Sequence, residues 1–102
     1  MPADETYGLL NILADLKKIG FQQSLIVNGG RALHPVTRES FTPEQVKLAG
    51  IYRVEGDSNN DEEAVVYALT STSGTKGLII DSFGPHADPE IADFMSKVKP
   101  AT

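Results

Sequence analysis

Two β-branched, apolar runs separated by a handful of turn residues constrain this chain more than any other feature. They lie between Glu62 and Phe83, reading EEAVVYALTS, then TSGT, then KGLIIDSF. Val65, Val66, Tyr67 and Leu69 favour an extended, half-buried backbone, as do Leu78, Ile79 and Ile80. Ser73-Gly74 supplies the turn, so the pair reads as a hairpin. Alternation sends Ala64, Val66 and Ala68 to one face and Val65, Tyr67 and Leu69 to the other. Both sets are largely apolar. The hairpin is therefore expected at the centre of the fold, covered on much of both faces. The run STSGTKG in its turn lacks the spacing of a phosphate loop and has no helix pattern after it.

The rest of the chain reads as cover for that hairpin. Asp4 to Ile19 has helical periodicity, with Leu9, Ile12, Leu13, Leu16 and Ile19 on one stripe and Gly20 as the stop. Phe21 to Val27 reads as a strand, Asn28-Gly29-Gly30 as a hairpin turn and Arg31 to His34 as the return. Val36 to Phe41 is a connector. In Thr42-Pro43-Glu44-Gln45, Thr42 is placed as a cap and Gln45 as its capping-box partner. Val46 and Leu48 are expected to anchor that turn, with Gly50 ending it. Ile51 to Gly56 is a further strand. Asp88 with Pro89 opens a last helix, whose stripe is Ile91, Phe94, Met95 and Val98, and Pro100 ends it.

These elements predict an α+β fold formed as a single domain over residues 1–102. Its architecture is a single antiparallel sheet of about five strands, with the N- and C-terminal helices packed on one face. That arrangement leaves the other sheet face for contacts.

Composition removes whole classes of function. The formal net charge is −5, whereas nucleic acid or an anionic membrane calls for a basic stripe. Without cysteine there is no disulfide framework, thiolate nucleophile or cysteine zinc site. No apolar run approaches a membrane span, and the N-terminus MPADETYG is acidic without a signal core, so the expected location is cytoplasmic. No cofactor is expected.

Few polar groups are placed for chemistry. Asp57-x-Asn59-x-Asp61 opens like a calcium loop, but Glu62 and Ala68 stand where a Gly and a bidentate Glu belong. His34 and His86 have no neighbouring ligand spacing, so neither makes a metal site. Asp81, Ser82 and His86 follow the last strand without a nucleophile elbow. Arg53 and Glu55, two apart on one strand, share a face, and Asp81 joins them if the register allows. Such a group clamps an anion or does acid–base work at some sites, and elsewhere is an ion-pair ladder.

Three stretches carry a resemblance. They are Tyr52-Arg53-Val54-Glu55-Gly56-Asp57-Ser58, then Val66-Tyr67-Ala68, then KGLIIDSFGPHAD from Lys76 to Asp88. The chain resembles a group of small uncharacterised bacterial proteins of about this length, some of which carry the label phosphoribosylpyrophosphate synthetase. That label implies a strand, two acids and a Thr-Gly turn. Leu78-Ile79-Ile80-Asp81 supplies the strand and one acid, and Ser82-Phe83-Gly84 departs from the rest. Synthetases of that name are also much longer, with paired α/β domains. The resemblance implies a small bacterial protein and transfers no role to any residue.

The leading expectation is a non-enzymatic domain that binds a protein partner or self-associates as a homo-oligomer, with no catalytic residue assigned. The competing expectation is a small-anion or nucleotide-binding protein whose ligand-binding residues are Arg53, Glu55, Asp81 and His86.

Overall fold

A computed structural model describes residues 9–54, 64–82 and 87–101. Its elements are helix α1 (Leu9–Lys18), strands β1 (Ile26–Asn28), β2 (Arg31–Leu33) and β3 (Ser40–Phe41), and a 3-10 turn (Pro43–Gln45). Strands β4 (Val46–Val54), β5 (Ala64–Ser71) and β6 (Lys76–Ser82), helix α2 (Pro89–Ser96) and strand β7 (Lys99–Pro100) follow. The fold is α+β, as expected.

The expected single sheet is instead two. One is β1-β2-β3, antiparallel throughout; the other has the order β6-β5-β4-β7, with β7 parallel to β4. The central hairpin stands as read from the sequence. Val65 pairs with Asp81, Tyr67 with Ile79 and Leu69 with Gly77. Its loop is held by Ser71, whose Oγ accepts from the N–H groups of Ser73 and Thr75 at 3.2 and 2.9 Å.

The two helices do not share a face of the larger sheet, which corrects the second part of the expectation. Ile12 and Leu16 of α1 pack with Phe21, Val66, Ala68 and Leu78. Phe94 of α2 packs with Leu69, Ile79 and Val46 on the opposite face, joined there by Leu25, Ala32 and Phe41 from the smaller sheet and its approach. The physical reason lies in the hairpin itself. Both of its faces are apolar, and each buried apolar side chain is worth about 1.5–3 kcal/mol when removed from water. One helix on each side buries more than two on one side.

The chain changes sides at residues 21–25. The sequence suggests a strand from Phe21, but the smaller sheet begins only at Ile26. Phe21 to Leu25 forms a strap across the outer edge of β6. Phe21 joins the α1 layer and Leu25 the α2 layer. Two main-chain hydrogen bonds fix the crossing, from Leu25 N–H to Leu78 O at 2.6 Å and from Leu78 N–H to Gln23 O at 2.9 Å.

Local turn chemistry follows the sequence more closely. Asn28 pairs with Arg31, so Gly29-Gly30 is a two-residue loop, and both glycines have positive φ, 61° and 78°. A type I′ hairpin requires that conformation at both positions. In the 3-10 turn Gln45 Oε1 accepts from Thr42 N–H at 2.9 Å, the reciprocal half of a capping box. Asp88 caps α2 by accepting from Glu90 N–H at 2.9 Å, with Pro89 in the first turn.

Val46 to Gly50 departs from the expectation. Val46 and Leu48 are the start of β4, and Gly50 lies within that strand. Val46-Lys47-Leu48 alternates with the strand period, and a bulge between Leu48 and Gly50 absorbs the extra residue Ala49. Gly50 suits its place because Tyr52 folds back over it, and an added Cβ would stand 2.9 Å from the Tyr52 hydroxyl.

Candidate functional site

The register settles whether Asp81 joins Arg53. Arg53 and Asp81 both pair with Val65, one from each side, so the three side chains form a row on the α2 face. Two strand spacings separate the ends of that row, about 9–10 Å between backbones. Arg53 is exposed, Val65 is buried and Asp81 is partly buried. Glu55 and His86 lie outside the described residues, as does the acidic loop at Asp57, Asn59 and Asp61.

Asp81 has a local task. Its Oδ1 accepts from Ser82 N–H at 2.7 Å and from Asp88 N–H at 3.0 Å. One carboxylate oxygen thus ties the end of β6 to the cap of α2. Ser82 is exposed at that end. The Asp81 charge also reaches Tyr67, one row away on the same face. Burial first, and repulsion from Asp81 second, push the Tyr67 phenol above its ordinary value of 10.0. In the sequence Tyr67 reads only as a β-former. Its polar tip becomes relevant once the register brings it beside Asp81.

His34 is a turn staple. It is 6% exposed. Its Nδ1 accepts from the N–H groups of Val36 and Thr37, both at 3.2 Å. Its main chain brackets the same turn, donating to Glu39 O at 2.8 Å and accepting from Arg38 N–H at 2.9 Å. With Nδ1 as acceptor, the proton of the neutral ring sits on Nε2.

The two edges of the larger sheet are treated differently. The strap covers β6 at Leu78, and ladder alternation then fixes every outward group along the sheet. Because Leu78 bonds outward, Ile79 bonds inward to Tyr67, and Tyr67 turns its own main-chain groups away from β4. Ile51, opposite Tyr67, therefore aims its N–H and C=O at the outer edge of β4. Among the described residues, that edge is covered by β7 at Lys47 and Leu48, with one more bond from Ala101 N–H to Leu48 O at 2.9 Å. Beyond the bulge no described strand pairs with this side of β4, and the Ile51 side chain is 54% exposed. The sequence hides this edge, since nothing in Ile51-Tyr52-Arg53 distinguishes an outer strand from an inner one.

At the other end of β4, Lys47 stands opposite Lys99 in register, and Lys97 joins them around a cavity of about 120 Å³ that Glu44 also lines. Lys97 pairs with Asp93 at 3.3 Å, an exposed pair worth a few tenths of a kcal/mol. Among the described residues, no group of three His, Asp or Glu converges to hold a metal ion. No helix among them is long and apolar enough to cross a membrane.

Comparison with protein-family models, curated proteins and solved structures finds no match to this chain.

Proposed function

We propose that this chain is a non-enzymatic domain that self-associates, pairing the outer edge of β4 with the same edge of a second copy. The observation that supports this reading is the outward aim of the Ile51 main chain beyond the end of β7, beside a half-exposed isoleucine. An unpaired, β-branched edge is a template for strand addition unless lysine, proline or a bulge blunts it. Here Lys99, Pro100 and the Ala49 bulge all lie at one end, leaving the stretch from Gly50 without them. Two antiparallel copies of one edge meet about a twofold axis, which closes the assembly at a dimer.

The apolar composition of both hairpin faces suggests association through an open sheet face. With a helix on each side that reason is gone, and the edge replaces it. Two main-chain hydrogen bonds between the Ile51 residues of the two copies at about 1 kcal/mol each, with roughly 3 kcal/mol from covering both half-exposed isoleucines, give weak pairing, with a dissociation constant on the order of 100 µM. The proposed setting is the bacterial cytoplasm, where a chain without cysteine is at no disadvantage.

Light scattering on a concentration series up to about 1 mM, well above that constant, tests the proposal. The mass rises from monomer towards dimer. Ile51→Pro removes an outward N–H without cutting the ladder to β5 and holds the chain monomeric. Ile51→Lys does the same by charge. A wild-type mass fixed at the monomer throughout rules the proposal out.

The second reading, a small-anion or nucleotide site at Arg53, Glu55, Asp81 and His86, is supported by the shared row of Arg53 and Asp81. Against it, Asp81 Oδ1 already serves two backbone amides. Loss of nucleotide or phosphate binding in Arg53→Ala, with an unchanged fold, would favour this reading over the first.

A further inference from the structure

A groove runs between the C-terminal half of α1 and the strap that crosses β6. Its volume is about 620 Å³, inside the range of roughly 300–1,000 Å³ typical of small-molecule sites. Leu13, Phe21 and Leu78 supply apolar walls, and Lys17 and Lys18 line it as well. Among the described residues no carboxylate lines it. In a chain of net charge −5 that is a local reversal of sign.

Neither Lys17 nor Lys18 has a competing task among the described residues. Among the described residues neither pairs with a carboxylate, whereas Lys97 pairs with Asp93. Lys76, the third cation near this end of α1, is already committed. Its Nζ donates to Ile19 O at 2.8 Å and lies 5.2 Å from the centre of the Phe21 ring. Lys76 thereby holds Phe21 and the end of α1 in place, while Lys17 and Lys18 remain to meet an anion. Their long stems add to the apolar wall while the ammonium groups stay in water.

We propose that this groove binds a free amphiphilic carboxylate, a molecule with one apolar tail and one anionic head. The tail lies against Leu13, Phe21 and Leu78, and the head meets Lys17 and Lys18. A nucleotide fits less well, because among the described residues the polar lining beyond the lysines is Gln22 and Ser24, too few groups to read a base edge. A membrane surface fits less well, because the chain as a whole is repelled by anionic lipid.

The test uses dodecanoate as the probe, titrated into the full chain by calorimetry below its aggregation concentration. Amide shifts map the contact. Saturable binding at one site is expected, with shifts centred on Leu13, Phe21 and Leu78. Dodecyltrimethylammonium, with the same tail and opposite charge, is expected not to bind there. Lys17→Ala with Lys18→Ala weakens dodecanoate about tenfold, the effect of about 1.4 kcal/mol of lost charge interaction. Ala14→Glu places a carboxylate in the lining of the groove at an exposed helical position and abolishes binding. Circular dichroism checks that these surface variants keep the fold. Three results would overturn the proposal: no saturable binding, equal affinity for the cationic probe, or binding to anionic vesicles with none to monomeric dodecanoate.

Discussion

The side chain of Leu25 occupies the space where residue 77 would carry a Cβ. Built onto Gly77, that atom would lie 2.7 Å from Leu25 Cγ and under 3 Å from both Leu25 methyl carbons. Leu25 is 8% exposed and belongs to the core on the α2 side, so it has little room to retreat. The strap can cross β6 closely because that strand has a glycine beneath it. Gly77→Ala is expected to cost about 1–3 kcal/mol, the usual range for overpacking a close contact. Urea denaturation measures it. An unchanged midpoint would mean that the strap sits farther from β6 than described.

Much of this arrangement was legible in the residues. The period of two in EEAVVYALTS gives β5 and its two faces, and the assignment of Val66 and Ala68 against Tyr67 and Leu69 matches the two cores. Gly29-Gly30, Thr42 with Gln45, and Asp88-Pro89 each signal their turn or cap through local chemistry. What sequence could not supply was which layer each amphipathic element covers. Phe21 to Leu25 reads as an ordinary apolar strand. Only the packing shows that its first residue serves one layer and its last the other. Lys99-Pro100 reads as the end of a helix, because two-residue parallel pairing leaves no period to detect. Of the four proposed ligand residues, the shared face of Arg53 and Asp81 depended on register, which a sequence without a fixed hairpin partner does not specify.

Tyr67 gives the molecule an alkaline signature. Its phenol is held above 10.0 in the folded chain, by burial first and the Asp81 charge second. Unfolding returns it to the ordinary value. The folded state therefore keeps a proton that the unfolded state gives up as pH rises. The stabilisation is complete below pH 10.0 and is lost as pH climbs through the folded value. Thermal melts between about pH 9 and 11 should show a smaller loss of stability in Tyr67→Phe than in the parent. Asp81→Asn keeps an oxygen for the amides of Ser82 and Asp88, removes the charge, and should lower the phenol in an absorbance titration. An unchanged titration would remove Asp81 as a cause.

His34 is expected to matter for stability. Truncation to alanine strands the N–H groups of Val36 and Thr37, which now share Nδ1. Each orphaned donor costs about 1–3 kcal/mol where water cannot replace the acceptor. Because this turn is partly exposed, His34→Ala is expected to lose about 1–2 kcal/mol in total. A larger loss of ligand binding than of stability would move His34 into a binding role.

Hydrogen exchange at the amide of Ile51 measures the outer edge of β4 at the atom concerned. That N–H points away from β5, has no partner strand among the described residues, and gains one when a second copy pairs. Protection at Ile51 is expected to rise with protein concentration, while the inward amide of Tyr52 stays protected throughout. Fast exchange at Ile51 that is the same from dilute to concentrated solution would contradict the account.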